Sequence, residues 1–264
     1  MRIISIDSKD TAAVKKLNPT DEGLSCLEAI SFDYVVKWPL SLIISRKKLV
    51  PYQLLFRFLF YTKYIEWILN NTWRYASELT KRFRVADDKS HEAFILRHRM
   101  LIFVQHLQSY ITFGVIEPQW KVFMETLAKV QNVDEVLNAH SRFLENCLRS
   151  GQLSTKDIFR IIHKILLVVS QFVNFLNQTY AQVEQLSALI GTSDYDESMD
   201  RLFGCHFQEQ VRLHDKSFSD KIRKLIVELE NIQTKETSDS IMNLLLKLDF
   251  NRYYSGQVAA TLRS

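Results

Sequence analysis

Apolar residues recur every three or four positions along most of this chain, the spacing that places them on one face of an α-helix. One series, at near-heptad spacing, predicts a long buried helix after Ser154: Ile158, Ile161, Ile162, Ile165, Val169, Phe172, Leu176, Val183 and Leu186. Another predicts a single helix from about 198 to 232: Phe203, Phe207, Val211, Phe218, Ile222, Leu225 and Leu229. Both helices are long enough to cross a whole domain.

Weaker patterns, read with their start and stop residues, predict the other elements. We expect helices over 52–79, 91–116, 118–130 and 133–149, and a last helix capped by Thr237 or Ser238 and ending near 254. Ser154 is a candidate N-cap for the long helix that carries Ile158. The intervals 1–23 and 81–90 are predicted to be a turn-rich lead-in and a loop. Any strand-like conformation is expected only in the β-branched segment 34–45.

Turn-forming residues are scarce, and this decides the fold class. The chain has 6 Gly and 4 Pro, and the intervals 52–117 and 119–264 contain no proline. Long helices can therefore run without interruption, whereas a sandwich or barrel would need many more turns. We predict an all-α fold, a bundle of long antiparallel helices, and a single helical domain over 1–264.

Composition narrows the function classes. Hydrophobic residues make up 47% and charged residues 24% of the chain, and the net charge is +4. This indicates a globular protein that is only mildly basic, so we expect no nucleic-acid partner. Charged or polar side chains interrupt the two most apolar windows, 52–69 and 161–176, which favours core helices and not an integral membrane protein.

Residues that could carry catalysis are present but lack the required spacing. His91-Glu92 has no second histidine four residues after the first, so it does not form a zinc-protease helix. Cys26, Cys147 and Cys205 are too far apart in sequence for a zinc motif. The glycines form no phosphate-binding loop. We therefore predict neither an enzyme nor a bound metal or cofactor.

The segment 52–74 shows two apolar stripes. Leu54, Phe58, Tyr61, Ile65, Ile68 and Leu69 form a predicted core face. On the opposite side lie Phe56, Phe60, Tyr64 and Trp67, with Arg57, Lys63 and Arg74 along the margins. Aromatic and basic residues together are typical of protein interfaces. A central helix packed on both sides would explain the same pattern, and that alternative stays open.

Several segments resemble one known family. They are Lys37-Trp38-Pro39-Leu40, Lys63-Tyr64-Ile65-Glu66 with Trp73, Arg99-Met100 with Phe103-Val104, Ala139-His140 with Phe143-Leu144 and Cys147-Leu148, and the stretch from Lys247 to Tyr254. Their order over about 24–254 is similar to the C-terminal domain of gamma-tubulin complex components. The pattern around 32–66 looks closest to component 2, including its fungal spindle-pole counterpart.

The resemblance implies a non-enzymatic domain that binds gamma-tubulin in a microtubule-nucleating complex, with other components such as a component 3-like protein as further partners. It also implies a cytoplasmic, cytoskeletal location at microtubule organising centres, and that this chain corresponds to the C-terminal portion of a larger component. The alternatives are a helical tethering or scaffold protein unrelated to tubulin or, less favoured, an all-α enzyme. From side-chain chemistry we expect nine contact residues: Lys37, Trp38, Arg46, Lys47, Arg57, Lys63, Arg74, Arg97 and Arg99.

Overall fold

The computed structural model describes residues 2–5, 30–83, 87–153, 155–186, 193–235 and 239–256. Two strands lie at the N-terminal end, β1 (Arg2–Ser5) and β2 (Ile30–Asp33), and a short 3₁₀ helix (Leu40–Leu42) follows. The α-helices are α1 (Arg46–Phe83), α2 (Asp87–Ser109), α3 (Glu117–Leu127), α4 (Val133–Ser150), α5 (Lys156–Gln185), α6 (Ser193–Leu202), α7 (Cys205–Lys235) and α8 (Asp239–Leu248). A π-helix (Tyr110–Ile116) joins α2 to α3. The all-α prediction is confirmed.

Both strands lie before the interval 34–45, so the expectation that strand-like conformation is confined to that interval was wrong. Strands β1 and β2 pair antiparallel, with Arg2 opposite Asp33 and Ser5 opposite Ile30. Residues 34–37 have no regular structure, and the 3₁₀ helix follows them. Most of the turn-rich lead-in predicted over 1–23 lies outside the described residues, as do the predicted caps Ser154, Thr237 and Ser238.

The chain divides into two compact units, and the boundary falls inside α1. Unit 1 comprises Met1–Lys63 and Ile111–Ser154, and unit 2 comprises Tyr64–Tyr110 and Thr155–Ser264. Each unit therefore combines two separate stretches of sequence. The expectation of a single domain stays a prediction.

Unit 1 has its core where α1, α3 and α4 meet. One buried cluster there consists of Leu55, Phe123, Phe143, Leu144 and Cys147, and the rings of Phe123 and Phe143 stack with centroids 5.2 Å apart. Reciprocal hydrogen bonds cap the start of α4: the Asn132 side chain accepts from the Glu135 amide, and the Glu135 carboxylate accepts from the Gln131 amide. Gly151 follows the helix, and a Cβ there would lie 2.8 Å from the Cys147 carbonyl oxygen.

Unit 2 is built mainly on the pairing of α5 with α7. The apolar series predicted in α5 is largely buried, with Ile158, Ile165, Val169, Phe172 and Leu176 at 0% exposure. On α7 the matching side chains are buried too, and they are Phe207, Val211, Phe218, Ile222, Leu225 and Leu229. The heptad-like spacing of the two helices is what lets these faces interlock.

Several predicted boundaries differ from those observed, among them the end of the last helix, which is Leu248 and not near 254. The helix expected over 198–232 is two helices, because the chain breaks at Phe203 and Gly204; a Cβ at Gly204 would lie 2.9 Å from the Asp200 carbonyl oxygen. Helix α1 begins at Arg46 and contains Pro51, which the second turn tolerates at the loss of one backbone hydrogen bond. The loop expected over 81–90 is largely helical, since α1 reaches Phe83 and α2 starts at Asp87.

One helix of the described part of the chain, α5, is long and apolar enough to cross a membrane by length and composition. A core helix of a globular protein meets the same test, and the buried residues of α5 are the centre of the unit 2 core. The expectation that the chain is not an integral membrane protein stays a prediction.

Candidate partner-binding surface

Helix α1 has one buried face with strict helical spacing. Its buried residues are Leu55, Phe58, Thr62, Ile65, Leu69, Thr72, Ala76 and Leu79, alternately three and four residues apart. The hydroxyls of Thr62 and Thr72 donate to the carbonyls of Leu59 and Ile68, at 3.0 and 2.9 Å, so both are satisfied inside the apolar face. The predicted core face was correct for Phe58, Ile65 and Leu69, but Leu54 is exposed and its neighbour Leu55 is buried.

The opposite, aromatic stripe of α1 is partly packed and partly exposed. In unit 1, Phe56 packs edge-on against Phe32 of β2 at 4.1 Å and stacks on Phe60 at 5.4 Å. In unit 2, Tyr64 stacks on Trp67 at 6.1 Å, and Trp67 is 60% exposed. The alternative of a doubly packed helix therefore holds near Phe56, whereas Trp67 remains accessible.

The segment before α1 exposes large apolar side chains next to basic ones. Trp38 is 79% exposed, and Leu40 and Leu42 are also exposed. Backbone hydrogen bonds from Ser41 to Lys37 and from Ile44 to Leu40 fold this segment into tight turns. An ordered segment presenting an indole is a suitable anchor for a partner, because little conformational entropy is lost on binding.

Arg46 and Lys47 are exposed in the first turn of α1, where the helix has no acidic residue. The next basic residue differs, because the Lys48 ammonium donates to the Ser141 hydroxyl of α4 at 2.5 Å. One turn later the hydroxyl of Tyr52 lies 3.0 Å from Nε2 of His140, also on α4. These two contacts fix the start of α1 within unit 1 and leave Arg46 and Lys47 directed at solvent.

Arg57 and Lys63 lie further along the unit 1 part of α1, half-buried and exposed respectively. At about 1.5 Å rise per residue, Arg46 and Lys63 are about 25 Å apart along the helix. One interface of ordinary size, about 800 Å² on each partner, can cover that length. Arg74, in unit 2, is exposed and donates to the Asn71 side chain at 3.2 Å.

Arg97 is a buried side chain of unit 2. It is 6% exposed, and its guanidinium donates to the Leu69 carbonyl at 3.2 Å and lies 5.0 Å from the centre of the Trp73 ring. Burial lowers the pKa of Arg97, with a smaller opposing contribution from Tyr180. The geometry indicates a structural cation that supports α1 from α2.

Arg99 holds together three parts of unit 2. Its guanidinium donates to the Asp215 carboxylate at 2.6 Å and to the hydroxyls of Ser219 and Tyr254 at 3.0 Å. Burial alone would lower the pKa of Arg99, but the bonds and charges of Tyr254 and Asp215 raise it. Asp249 accepts the backbone amide of Tyr254 at 3.0 Å, so the C-terminal turn is tied to α2 and α7.

Sequence reasoning missed some exposed apolar residues beside the predicted ones. Tyr34 is 56% and Val35 is 73% exposed, and Leu40 and Leu42 extend the same segment. Tyr34 and Val35 are adjacent apolar residues of a β-branched segment, so the sequence favoured a partly buried strand and did not show that both side chains are exposed. Within the ranges that the structure describes, no group of three or more His, Cys, Asp or Glu could hold a metal ion.

The sequence model of one family, "Gamma tubulin complex component C-terminal", matches residues 2–254. The chain belongs to that family.

Curated relatives agree with this assignment. Gamma-tubulin complex component 2 of Mus musculus is 33% identical, over 97% of this chain and 31% of its own length. The component 2 homolog of Drosophila melanogaster is 32% identical, over 89% of the chain and 29% of its own length. Spindle pole body component alp4 of Schizosaccharomyces pombe is 28% identical, over 91% of the chain and 30% of its own length.

These relatives confirm the expected likeness to component 2. The name of the fission yeast relative agrees with the expected location at spindle poles and other microtubule organising centres. The chain spans about three-tenths of the length of these relatives.

Proposed function

We propose that this chain binds gamma-tubulin through the basic–aromatic surface of unit 1, formed by Lys37, Trp38, Arg46, Lys47, Arg57 and Lys63. The observation that carries the proposal is the 79% exposure of Trp38 beside exposed basic residues in a chain of the gamma-tubulin complex component family. Binding hot spots at protein interfaces are enriched in aromatic residues and arginine.

The position of Arg46 and Lys47 supports a binding role for these two residues. Basic side chains in the first turn oppose the helix dipole and destabilise a helix by about 0.3–1 kcal/mol each. Neither residue offsets this with an acidic neighbour in that turn. Two cations placed where they oppose folding, and directed at solvent, are better explained by a partner than by stability.

The proposed role is binding and not catalysis. A domain that holds gamma-tubulin in a fixed orientation would lower the entropic cost of assembling a microtubule nucleus. We extend the proposal to the whole protein that contains this chain, which would assemble with other gamma-tubulin complex components, including a component 3-like protein. Any GTP in the assembly would belong to gamma-tubulin.

Binding of purified gamma-tubulin to the immobilised chain tests the proposal. The test variant combines Lys37→Glu, Arg46→Glu and Lys47→Glu, and a second variant is Trp38→Ala. Each should weaken binding by about 1–3 kcal/mol, which is about 5- to 150-fold in Kd. Arg57→Glu with Lys63→Glu should act in the same direction.

The matched control is Lys121→Glu, Lys129→Glu and Arg142→Glu, three exposed basic residues of unit 1. It changes the net charge by the same amount as the test variant, so it measures the general effect of charge. Equal loss of binding in the two triple variants, with helicity retained, would contradict the proposed surface. Failure of the unsubstituted chain to bind gamma-tubulin would reject the proposed function itself.

A further inference from the structure

Helices α5 and α7 of unit 2 form an open groove of about 470 Å³. One face of α7 supplies Leu213, Lys216, Ser217, Asp220, Lys221 and Lys224, and α5 supplies Ile161 and Lys164. The α7 residues are spaced three or four apart, so they form a continuous strip about 16 Å long. None of these residues belongs to the proposed gamma-tubulin surface.

The side chains that line the groove carry a net positive charge. Four lysines face one carboxylate, that of Asp220, and this carboxylate already pairs with Arg223 at 2.6 Å. Lys221 is half-buried and donates to the Ser217 hydroxyl at 2.7 Å, which holds its ammonium in the groove. Burial lowers the pKa of Lys221, and Lys224 and Lys164 lower it further, while Asp220 opposes them. An anion in the groove would relieve this repulsion.

The lining chemistry narrows the kind of anion. Many phosphate sites offer an arginine fork or a nest of backbone amides, although lysine also binds phosphate as a point charge, and sites for single-stranded nucleic acid offer aromatic rings for stacking. This groove is lined by lysines, which are point charges without a preferred planar geometry. Ile161 and Leu213 add apolar walls, and Leu213 is 53% exposed. Carboxylates on short aliphatic stems fit both features.

We propose that this α5–α7 groove is a docking site for an acidic protein segment, an extended peptide whose Asp or Glu side chains pair with Lys164, Lys216, Lys221 and Lys224. Five or six extended residues span about 16–20 Å, which matches the length of the basic strip. The site is independent of the gamma-tubulin surface proposed above.

Fluorescence anisotropy of labelled hexaglutamate, added to the whole chain at low salt, tests this site. Hexaglutamine is the uncharged control probe. Lys164→Glu with Lys224→Glu, both exposed, should weaken hexaglutamate binding about tenfold, because each reversal replaces attraction by repulsion. The matched variant Lys121→Glu with Lys129→Glu changes the net charge equally and should weaken binding less than about twofold.

A second readout needs no substitution. Acetylation of the unsubstituted chain, mapped by mass spectrometry, should show Lys164, Lys216, Lys221 and Lys224 protected by hexaglutamate, with Lys121 and Lys129 unprotected. Equal weakening by the two double variants, or protection spread evenly over all lysines, would overturn the proposal. Stronger displacement by inorganic tripolyphosphate than by hexaglutamate at equal total charge would assign the groove to phosphate instead.

Discussion

Two pairs of basic residues differ in their exposure to solvent. Arg46 and Lys47 lie in unit 1, and Arg97 and Arg99 lie in unit 2. The first pair is exposed in the first turn of α1 and is directed at solvent. In the second pair, Arg97 is 6% exposed beneath Trp73, and Arg99 bonds Asp215, Ser219 and Tyr254. A basic side chain near an aromatic one is therefore compatible with an interface or with a structural role, and its position relative to the buried helix face decides between them.

The largest effect on stability within this comparison is expected from Arg97. Arg97→Ala removes the bond to the Leu69 carbonyl and the contact with the Trp73 ring, and leaves a space in unit 2. We expect a loss of roughly 2–4 kcal/mol in the free energy of unfolding, measured by urea denaturation.

Arg97→Met separates charge from packing. Methionine keeps most of the aliphatic stem and removes the desolvation cost of a buried cation, so this variant should lose clearly less stability than Arg97→Ala. Arg74→Ala, at an exposed position of α1, is the control and should change stability by less than about 0.5 kcal/mol. If Arg97→Ala matched that control, Arg97 would not be structural.

The second-largest loss of stability is expected when the hydrogen bonds of Arg99 are removed. Arg99→Ala should cost roughly 1–3 kcal/mol, since it removes a charge-assisted bond to Asp215 and two hydroxyl partners at a half-buried site. A double-mutant cycle with Asp215→Asn isolates the pair, and we expect a coupling energy near 1 kcal/mol. Additive effects would show that the Asp215 pair contributes little and that Arg99 acts through its bonds to Ser219 and Tyr254.

Regular elements of this fold were predictable because local chemistry determines them. The α4 helix was predicted to within a residue from its apolar spacing and its end at Ser150-Gly151, and α5 from its apolar series. The break at Gly204 was missed because the apolar spacing continues across it, and only the close approach of the Asp200 carbonyl requires the glycine. Thr62 and Thr72 were missed as core residues because their hydroxyls are satisfied by the helix's own carbonyls, which sequence does not display.

The candidate surface was only partly predictable for a related reason. Exposure of Trp38 depends on how the segment turns before α1, and the backbone bonds of that turn are not visible as a pattern. Arg46 is directed at solvent and Lys48 is not, because the Lys48 ammonium bonds to the hydroxyl of Ser141, 93 positions further along the chain. Pairings at that distance are tertiary information.

Arg46 and Lys47 should show a small effect of opposite sign. Arg46→Glu with Lys47→Glu places carboxylates at the positive end of the α1 dipole, so the free energy of unfolding should stay constant or rise by up to about 1 kcal/mol. The same substitution should weaken gamma-tubulin binding. A fall in stability of more than about 1 kcal/mol would place these residues in the structural class with Arg97.

The smallest expected effect is on the pH dependence of stability, and it involves Lys48, whose ammonium is bonded within unit 1 to Ser141. Burial lowers the pKa of His140, and the charge of Lys48 lowers it further. Because the folded protein favours the neutral imidazole, stability should be fully present above the unfolded pKa of about 6.5 and should fall as pH drops through that value toward the lower folded pKa. Urea midpoints at pH 7.5 and pH 5.5 should therefore differ more for the unsubstituted chain than for His140→Gln.

Lys48→Gln should reduce the same pH dependence while keeping a donor toward Ser141, since only the charge is removed. Arg46→Gln, two residues earlier and directed at solvent, should leave it unchanged. An identical pH dependence in the His140 variant and the unsubstituted chain would show that protonation of His140 is tolerated in the fold.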